Sequence, residues 1–333
     1  MIKTLTRLVI ISALSMSSNV FSTTLEKGKL LFNQKEYKQA KLVFSQLANK
    51  GDAHALYWLG VTQYESGLHM EAGDTFLKAA EMGSPWAMGI LAGENFNSNS
   101  PCGYLGWPCD SQWEDKAIDG WEKLAAQGDG KAVYALKANR TDWWEYIPFY
   151  KYKKYREMYE LTIPHSAYGL LDCSIGTCWK TIKEYRKYQR IAADNGYAPA
   201  MIGLYYNLHE NGQQEEANKW IYKAILLGYE PAAKTLYFTY SQGLNEVEVD
   251  VKKAYFFNRL TGILGGDEKE SYRITQRLIV DKQGQPVLDN DRQFTFEILI
   301  TGEEQAELDK QVEEFAKDIK PNMFLDETSI ELF

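Results

Sequence analysis

Long apolar runs are scarce in this chain of 333 residues. After the first 22 residues no stretch approaches the eighteen or so uninterrupted apolar side chains that a bilayer-spanning helix requires, so no stable membrane anchor is expected. Basic charge is short as well, with 37 Lys and Arg against 45 Asp and Glu and a formal net charge of -8. That balance argues against a protein built to neutralise phosphates, and nucleic acid is not the expected partner. Histidine is rare: His54, His69, His165 and His209 are the whole set, and none stands in H-E-x-x-H. There is no G-x-S-x-G and no glycine-rich phosphate loop, and acidic pairs such as Glu215-Glu216 fall on solvated helix faces. No catalytic residue, cofactor or metal is expected. His54, on a repeat helix, reads as a half-buried structural residue.

What is present is a folded chain, because 45% apolar and 14% aromatic residues supply a large core. Residues 1–22 stand apart from it. Lys3 and Arg7 precede a short apolar segment, Leu8 to Met16, and Val20-Phe21-Ser22 offers a cleavage site after Ser22. The expected product is exported to the periplasm of a Gram-negative bacterium. In that oxidising compartment four cysteines in two close pairs read as two local disulfides, Cys102 with Cys109 and Cys173 with Cys178, although four cysteines permit three pairings. The spacings C-x6-C and C-x4-C suit a structural zinc poorly, and the C-x-x-C of a redox site is absent.

The main signal is an internal repeat. An apolar helix end, a glycine, an alanine-rich helix, an aromatic and a second glycine recur at Leu47 to Gly67, Ala79 to Gly93, Leu124 to Leu136, Ile191 to Gly212 and Ala224 to Gly243. Gly51 and Gly83 are 32 residues apart, as are Gly196 and Gly228, which is close to the length of one helical hairpin. Small residues such as Ala53, Ala55, Ala198, Ala200, Ala232 and Ala233 let neighbouring helices approach, and Leu59, Leu204 and Leu236 fill the seam. The glycines at 51, 83, 128, 196 and 228 are placed to stop helices in the left-handed conformation.

At Ala53, Ala55, Leu59, Gly60, Tyr64 and Gly67 the chain resembles the Sel-one-like repeat family, a relative of the tetratricopeptide repeat. Residues 25–50 read more like a plain tetratricopeptide hairpin, and Tyr237 stands where the family prefers glycine. The resemblance covers roughly residues 25–280. It implies an all-α, right-handed superhelical solenoid of stacked hairpins, and it carries no catalytic residues. The domain reading is therefore a leader over 1–22, a solenoid over 23–280 with insertions near 94–112 and 140–180, and an acidic extension over 281–333.

The insertions break the repeat. Glu94 to Gln112 is too rich in Asn, Ser, Gly and Pro for a helix interior and reads as a loop closed by Cys102 and Cys109, with Tyr104 and Trp107 at its tip. The second insertion places Trp143, Trp144, Tyr146, Tyr150, Tyr152 and Tyr155 among Lys151, Lys153, Lys154 and Arg156. Aromatics bury much area at small entropic cost and keep a polar handle, so these six form the candidate partner-binding surface. Beyond 281, KQGQPVLDNDRQ reads as a polar linker, Phe294 to Ile300 as strand-like, and Glu303 to Lys320 as an amphipathic helix suited to capping the solenoid. Acidic side chains outnumber basic ones there by 14 to 5, which also fits an arm that steers a basic partner.

A stack of hairpins offers an extended surface for partners and no chemistry. The functional expectation is a non-enzymatic periplasmic scaffold that binds a protein. The resemblance adds a sharper form, an immunity protein that neutralises a secreted toxin acting in the periplasm. The alternative is an envelope-maintenance factor that binds peptidoglycan, or an enzyme of peptidoglycan, through Trp143, Trp144 and the nearby tyrosines.

Overall fold

The structure, a computed structural model, describes residues 24–94, 96–97, 100–139, 143–162, 180–245 and 247–333. The leader over 1–22 and the Cys173–Cys178 pair lie outside the described residues.

Helix follows helix along most of the described chain. α1 (Leu25–Asn33) and α2 (Tyr37–Ala48) form the first hairpin, and α3 (Ala53–Glu65) and α4 (His69–Glu81) the second. α5 (Pro85–Leu91) pairs with α7 (Gln112–Ala126), the loop between them holding the short α6 (Cys102–Leu105). α8 (Gly130–Asn139) packs against α9 (Pro148–Thr162), and α10 (Ile182–Asp194) against α11 (Ala198–Glu210). The stack ends with α12 (Gln214–Leu226), α13 (Glu230–Gln242) and α14 (Val251–Ile263).

The junction glycines stop helices as their spacing requires: Gly51, Gly83, Gly128, Gly196 and Gly228 all have positive φ, between 72° and 98°. Side-chain caps restart the chain after several of them. Asp52 accepts from the amides of His54 and Ala55 at 2.9 Å, and Ser84 caps α5 through the Ala87 amide. A second use of glycine lies at the seam. A Cβ at Gly60 would stand 2.8 Å from the buried Phe76 ring, and one at Gly89 would stand 2.8 Å from Trp121, so the first helix of a hairpin lies against an aromatic of the second. Phe32, Phe44, Tyr57, Trp58 and Phe76 form the buried aromatic core of the first two hairpins.

The loop over 94–112 is closed by the Cys102–Cys109 disulfide. The two aromatics expected at its tip part company. Tyr104 is exposed, as expected of a loop tip, but Trp107 turns inward, rests on Gly73 and Phe76, and donates its Nε1 proton to the His69 carbonyl at 2.9 Å. The cause is the missing Cβ at Gly73, which opens a slot for an indole.

After α14 the chain forms a short helix, α15 (Tyr272–Thr275), and a small antiparallel arm. β1 (Gln276–Leu278) pairs with β2 (Phe296–Ile298), Arg277 opposite Glu297. The polar stretch between them is a paired meander and not a linker, with bridges Val280–Pro286 and Leu288–Phe294. Asp281 and Asp289 make the reversals by accepting from amides two and four residues ahead. α16 (Gly302–Ala316) begins in a Thr301–Glu304 capping box and closes the stack over α14. Lys252 meets Glu304 at 2.7 Å, Arg259 meets Asp309 at 2.9 Å, and Phe315 lies edge-on to Phe256.

The last thirteen residues, 321–333, run back across the stack without regular structure up to a turn at 327–328 and a final 3-10 turn, Ile330–Leu332. They touch α1 at Asn33, α3 at His54 and Trp58, α8 at Lys131, the start of α11 at Tyr197 and the α12–α13 junction at Leu227. Lys35, at the α1–α2 turn, donates to the Leu264 carbonyl at the end of α14. First and last hairpins therefore meet, and the stack curves back on itself around the terminal segment.

Candidate functional site

Two regions present themselves, one on the outside of the curve and one within it. The outer one is the aromatic and basic insertion. A short 3-10 turn, Trp143–Tyr146, delivers the chain into α9, and three aromatics project there into solvent: Trp143 is 70% exposed, Tyr146 78% and Phe149 86%. Trp143 stacks on Tyr150, their ring centroids 6.0 Å apart. The Lys154 ammonium lies 5.5 Å from the Tyr150 ring and 3.1 Å from Glu157. Trp144 turns the other way, half-buried on the core under Lys137, and Tyr152 is half-buried beneath the Lys151 ammonium. The Tyr155 side chain is outside the described set. Arg156 reaches Glu184 of α10 at 2.9 Å, which ties this ledge to the next helix. Of the residues chosen from sequence, Trp143 and Tyr146 are exposed and the half-buried Tyr150 stacks on Trp143. Trp144 and Tyr152 are half-buried and are not part of the exposed surface.

The inner region is centred on Glu327. Its side chain has no exposure, and its carboxylate receives Lys131 Nζ at 2.5 Å, Trp58 Nε1 at 2.7 Å and Lys29 Nζ at 3.3 Å, with His54 Nε2 at 2.8 Å. Burial alone would raise this carboxyl. Lys131, Lys29 and the His54 hydrogen bond overcome it and hold the group well below the usual carboxylate range. The neighbouring Asp326 goes the other way: burial, and then the negative Glu327 beside it, push its carboxyl up to about 7 against the pull of Lys131 and Thr328. Its Oδ1 accepts from the Thr328 amide and hydroxyl, while its Oδ2 is buried without a partner.

The backbone of the same segment is held by Asn33. The Asn33 amide donates to the Leu325 carbonyl at 2.9 Å and accepts from the Leu325 amide at 2.5 Å, both within the core. At the chain end Phe333 lies between Tyr64 and Phe76, 5.3 and 5.9 Å from their rings. Beside Glu327, Thr328, Ser329 and Phe333 a cavity of about 230 Å³ opens, walled by Tyr57, Trp86, Phe96, Trp121 and Tyr134. The indole N–H groups of Trp86 and Trp121 are both buried without an acceptor.

Sequence reasoning missed Lys29, Asn33, Trp58, Lys131 and Glu327 as a group, because they come from separate repeats. A signal was present in Met323, Phe324, Leu325, Ile330, Leu332 and Phe333, since a terminus this apolar does not stay in water as a free arm. Asp326 and Glu327 are buried, so they do not serve to steer a partner from solution. His54, read as structural, is the imidazole against Glu327. Among the described residues no cluster of His, Cys, Asp and Glu could hold a metal, and no helix is long and apolar enough to cross a membrane.

No family model and no curated protein matches the chain. Among solved structures it is similar to a Sel1 repeat protein from Oxalobacter formigenes, at 22% identity over 72% of this chain and 99% of that one, with a TM-score of 0.39. It is also similar to a protective antigen of uropathogenic Escherichia coli displaying an SLR fold, at 16% identity over 86% of this chain and 57% of that one, with a TM-score of 0.38.

Proposed function

We propose that the chain is a non-catalytic, partner-binding scaffold whose open docking surface is the ledge of Trp143, Tyr146 and Phe149. The observation that carries this reading is the exposure of three large aromatics within seven residues of one another in the chain, followed by Lys153, Lys154 and Arg156, on a stack whose other hairpins bury most of their aromatics. Solvated apolar surface of this kind is unfavourable until a partner covers it, and a rim of cations selects a partner with acidic groups around an apolar centre. The reading includes export through the leader over 1–22, and the Cys102–Cys109 disulfide supports an oxidising compartment.

Its finer form is an immunity protein that binds and neutralises a toxin acting in the periplasm, a form motivated by the repeat resemblance. The experiment is capture of partners on tagged residues 23–333, with periplasm and culture mixed with competing cells as the sources. The expected result is one stoichiometric protein, released by salt and lost with Trp143→Ala, Tyr146→Ala and Phe149→Ala combined. Equal capture by the triple variant removes the ledge from the reading. Survival of a deletion strain under toxin delivery removes the immunity form. A wall-binding role is favoured instead if the chain sediments with purified sacculi and Trp143→Ala abolishes it, for Trp143 keeps a face open to a sugar ring.

A further inference from the structure

We infer that residues 321–333 are a resident ligand of the solenoid's inner groove, and that the groove exchanges them for an extended partner segment carrying a carboxylate at the Glu327 position and an aromatic side chain six residues later. The inference stands on the inner groove alone and is independent of the outer ledge.

The segment is held as a peptide is held. It pairs with no strand and continues no helix of the stack, and among the described residues its one backbone-to-backbone bond to the solenoid is the Asn322 amide to the Leu227 carbonyl. The Ser329 amide bonds back to Asp326 within the segment itself. Recognition is instead by side chains of the repeats. Asn33 reads the backbone N–H and C=O of one residue, Leu325, with both ends of its amide, which is independent of sequence, while the Lys29, Lys131, His54 and Trp58 pocket reads the carboxylate and the Tyr64–Phe76 slot reads the aromatic. Each element of the pocket comes from a first helix of a hairpin. These elements would leave two lysines buried beside each other if no carboxylate entered, so the groove is built for an anion.

Two observations mark the segment as replaceable. Phe324 is held at a φ of 58°, a left-handed backbone that a free chain disfavours, with its ring on Gly196. The cavity of about 230 Å³ beside Glu327 and Phe333, walled by Trp86 and Trp121 among others, leaves room for a side chain larger than those the segment places there. Release is possible because residues 317, 318 and 320, which join α16 to the segment, are exposed.

The test uses the full chain with a specific protease site placed at 317–320. After cleavage the sample is challenged with a fluorescent peptide of residues 321–333. The expected result is incorporation of one labelled peptide per chain with the helical circular dichroism unchanged, and at least tenfold weaker competition by the peptide carrying Glu327→Gln. Loss of helical signal on release, or no exchange in the presence of excess peptide, overturns the inference and makes the segment part of the fold. Hydrogen exchange on the uncut chain gives a second reading. The amides of Leu325 and Thr328 are expected to exchange at least tenfold faster than those of α3 through an opening that leaves α3 protected. Equal protection of the two also overturns it.

Discussion

Gly60 shows how a single hydrogen in place of a methyl sets the distance between two helices. Alanine there would gain up to about 1 kcal/mol of helix propensity. Its Cβ would stand 2.8 Å from the Phe76 ring, which is fully buried and has nowhere to move. Overpacking of this kind costs about 1–3 kcal/mol, so Gly60→Ala is expected to lower the urea midpoint while leaving the slope of the transition unchanged. Asp326 gives a second prediction at this scale. Its carboxyl lies near 7 in the docked segment against an ordinary 3.8, so the docked state holds a proton that the free segment has lost between those values. Docking of 321–333 therefore weakens as pH rises from about 4 to 7, by up to about tenfold per unit. Glu327 works in the opposite sense: its depressed carboxyl favours docking above its ordinary 4.5, and that contribution is lost as pH falls below it. The segment is expected to be tightest near pH 4, where the two opposing dependences cross, and the rate of peptide exchange measured at pH 5 and pH 8 checks the weakening above it. In Asp326→Asn the weakening toward pH 8 is expected to disappear.

At the scale of elements the loop over 94–112 combines a covalent closure with an anchor. Cys102 and Cys109 are 7 residues apart, and a closure this short removes about 2 kcal/mol of unfolded-chain entropy. Trp107 is the anchor, and deleting a buried indole costs about 3–5 kcal/mol. Trp107→Ala is thus expected to destabilise the chain more than Cys102→Ser with Cys109→Ser, a comparison that denaturant melts settle. The same loop shows what sequence can carry. Its glycines, prolines and close cysteines mark a closed insertion, because those residue types act through local backbone geometry. Nothing local marks Trp107 as a core residue, because its slot is made by Gly73 on another helix. The helical hairpins follow the same rule. Junction glycines, capping residues and alanine-rich faces are local and announce the solenoid, and even the arm after α14 has local markers in Asp281 and Asp289, whose turn-making role was read only as polarity. The ledge follows the same rule: its aromatics lie close together in one segment, so the sequence alone marks them as a candidate surface. The pocket for Glu327 draws on residues 29, 54, 58 and 131, and no window of sequence includes the charge balance that buries it.

Over the whole molecule, closure of the curve rests on few contacts. Lys35 reaches the Leu264 carbonyl at 2.5 Å, and a cavity of about 480 Å³ lies between the first hairpin and α13, lined by Lys35, Tyr37, Glu65 and Glu230. Burial lowers the Lys35 ammonium and raises the Glu65 and Glu230 carboxyls, so these charges are poorly solvated and pull the two ends together only weakly. The terminal segment bridges the same gap with better chemistry, binding Asn33 on the first hairpin and the Leu227 carbonyl near the last. A stack in which each hairpin contacts its neighbours has no other means of fixing its curvature over a full circuit, since small changes at every seam add along its length. Removing the bridge should then relax the curve. Asn33→Ala with Lys131→Met takes away the backbone clamp and one of the two lysines, which leaves Glu327 short of compensation in its pocket. The expected outcome by small-angle X-ray scattering is a larger radius of gyration with unchanged helical content. A radius of gyration identical to that of the parent chain would place the closure in Lys35 and the α13 face, and Lys35→Met would then be the variant that opens the curve.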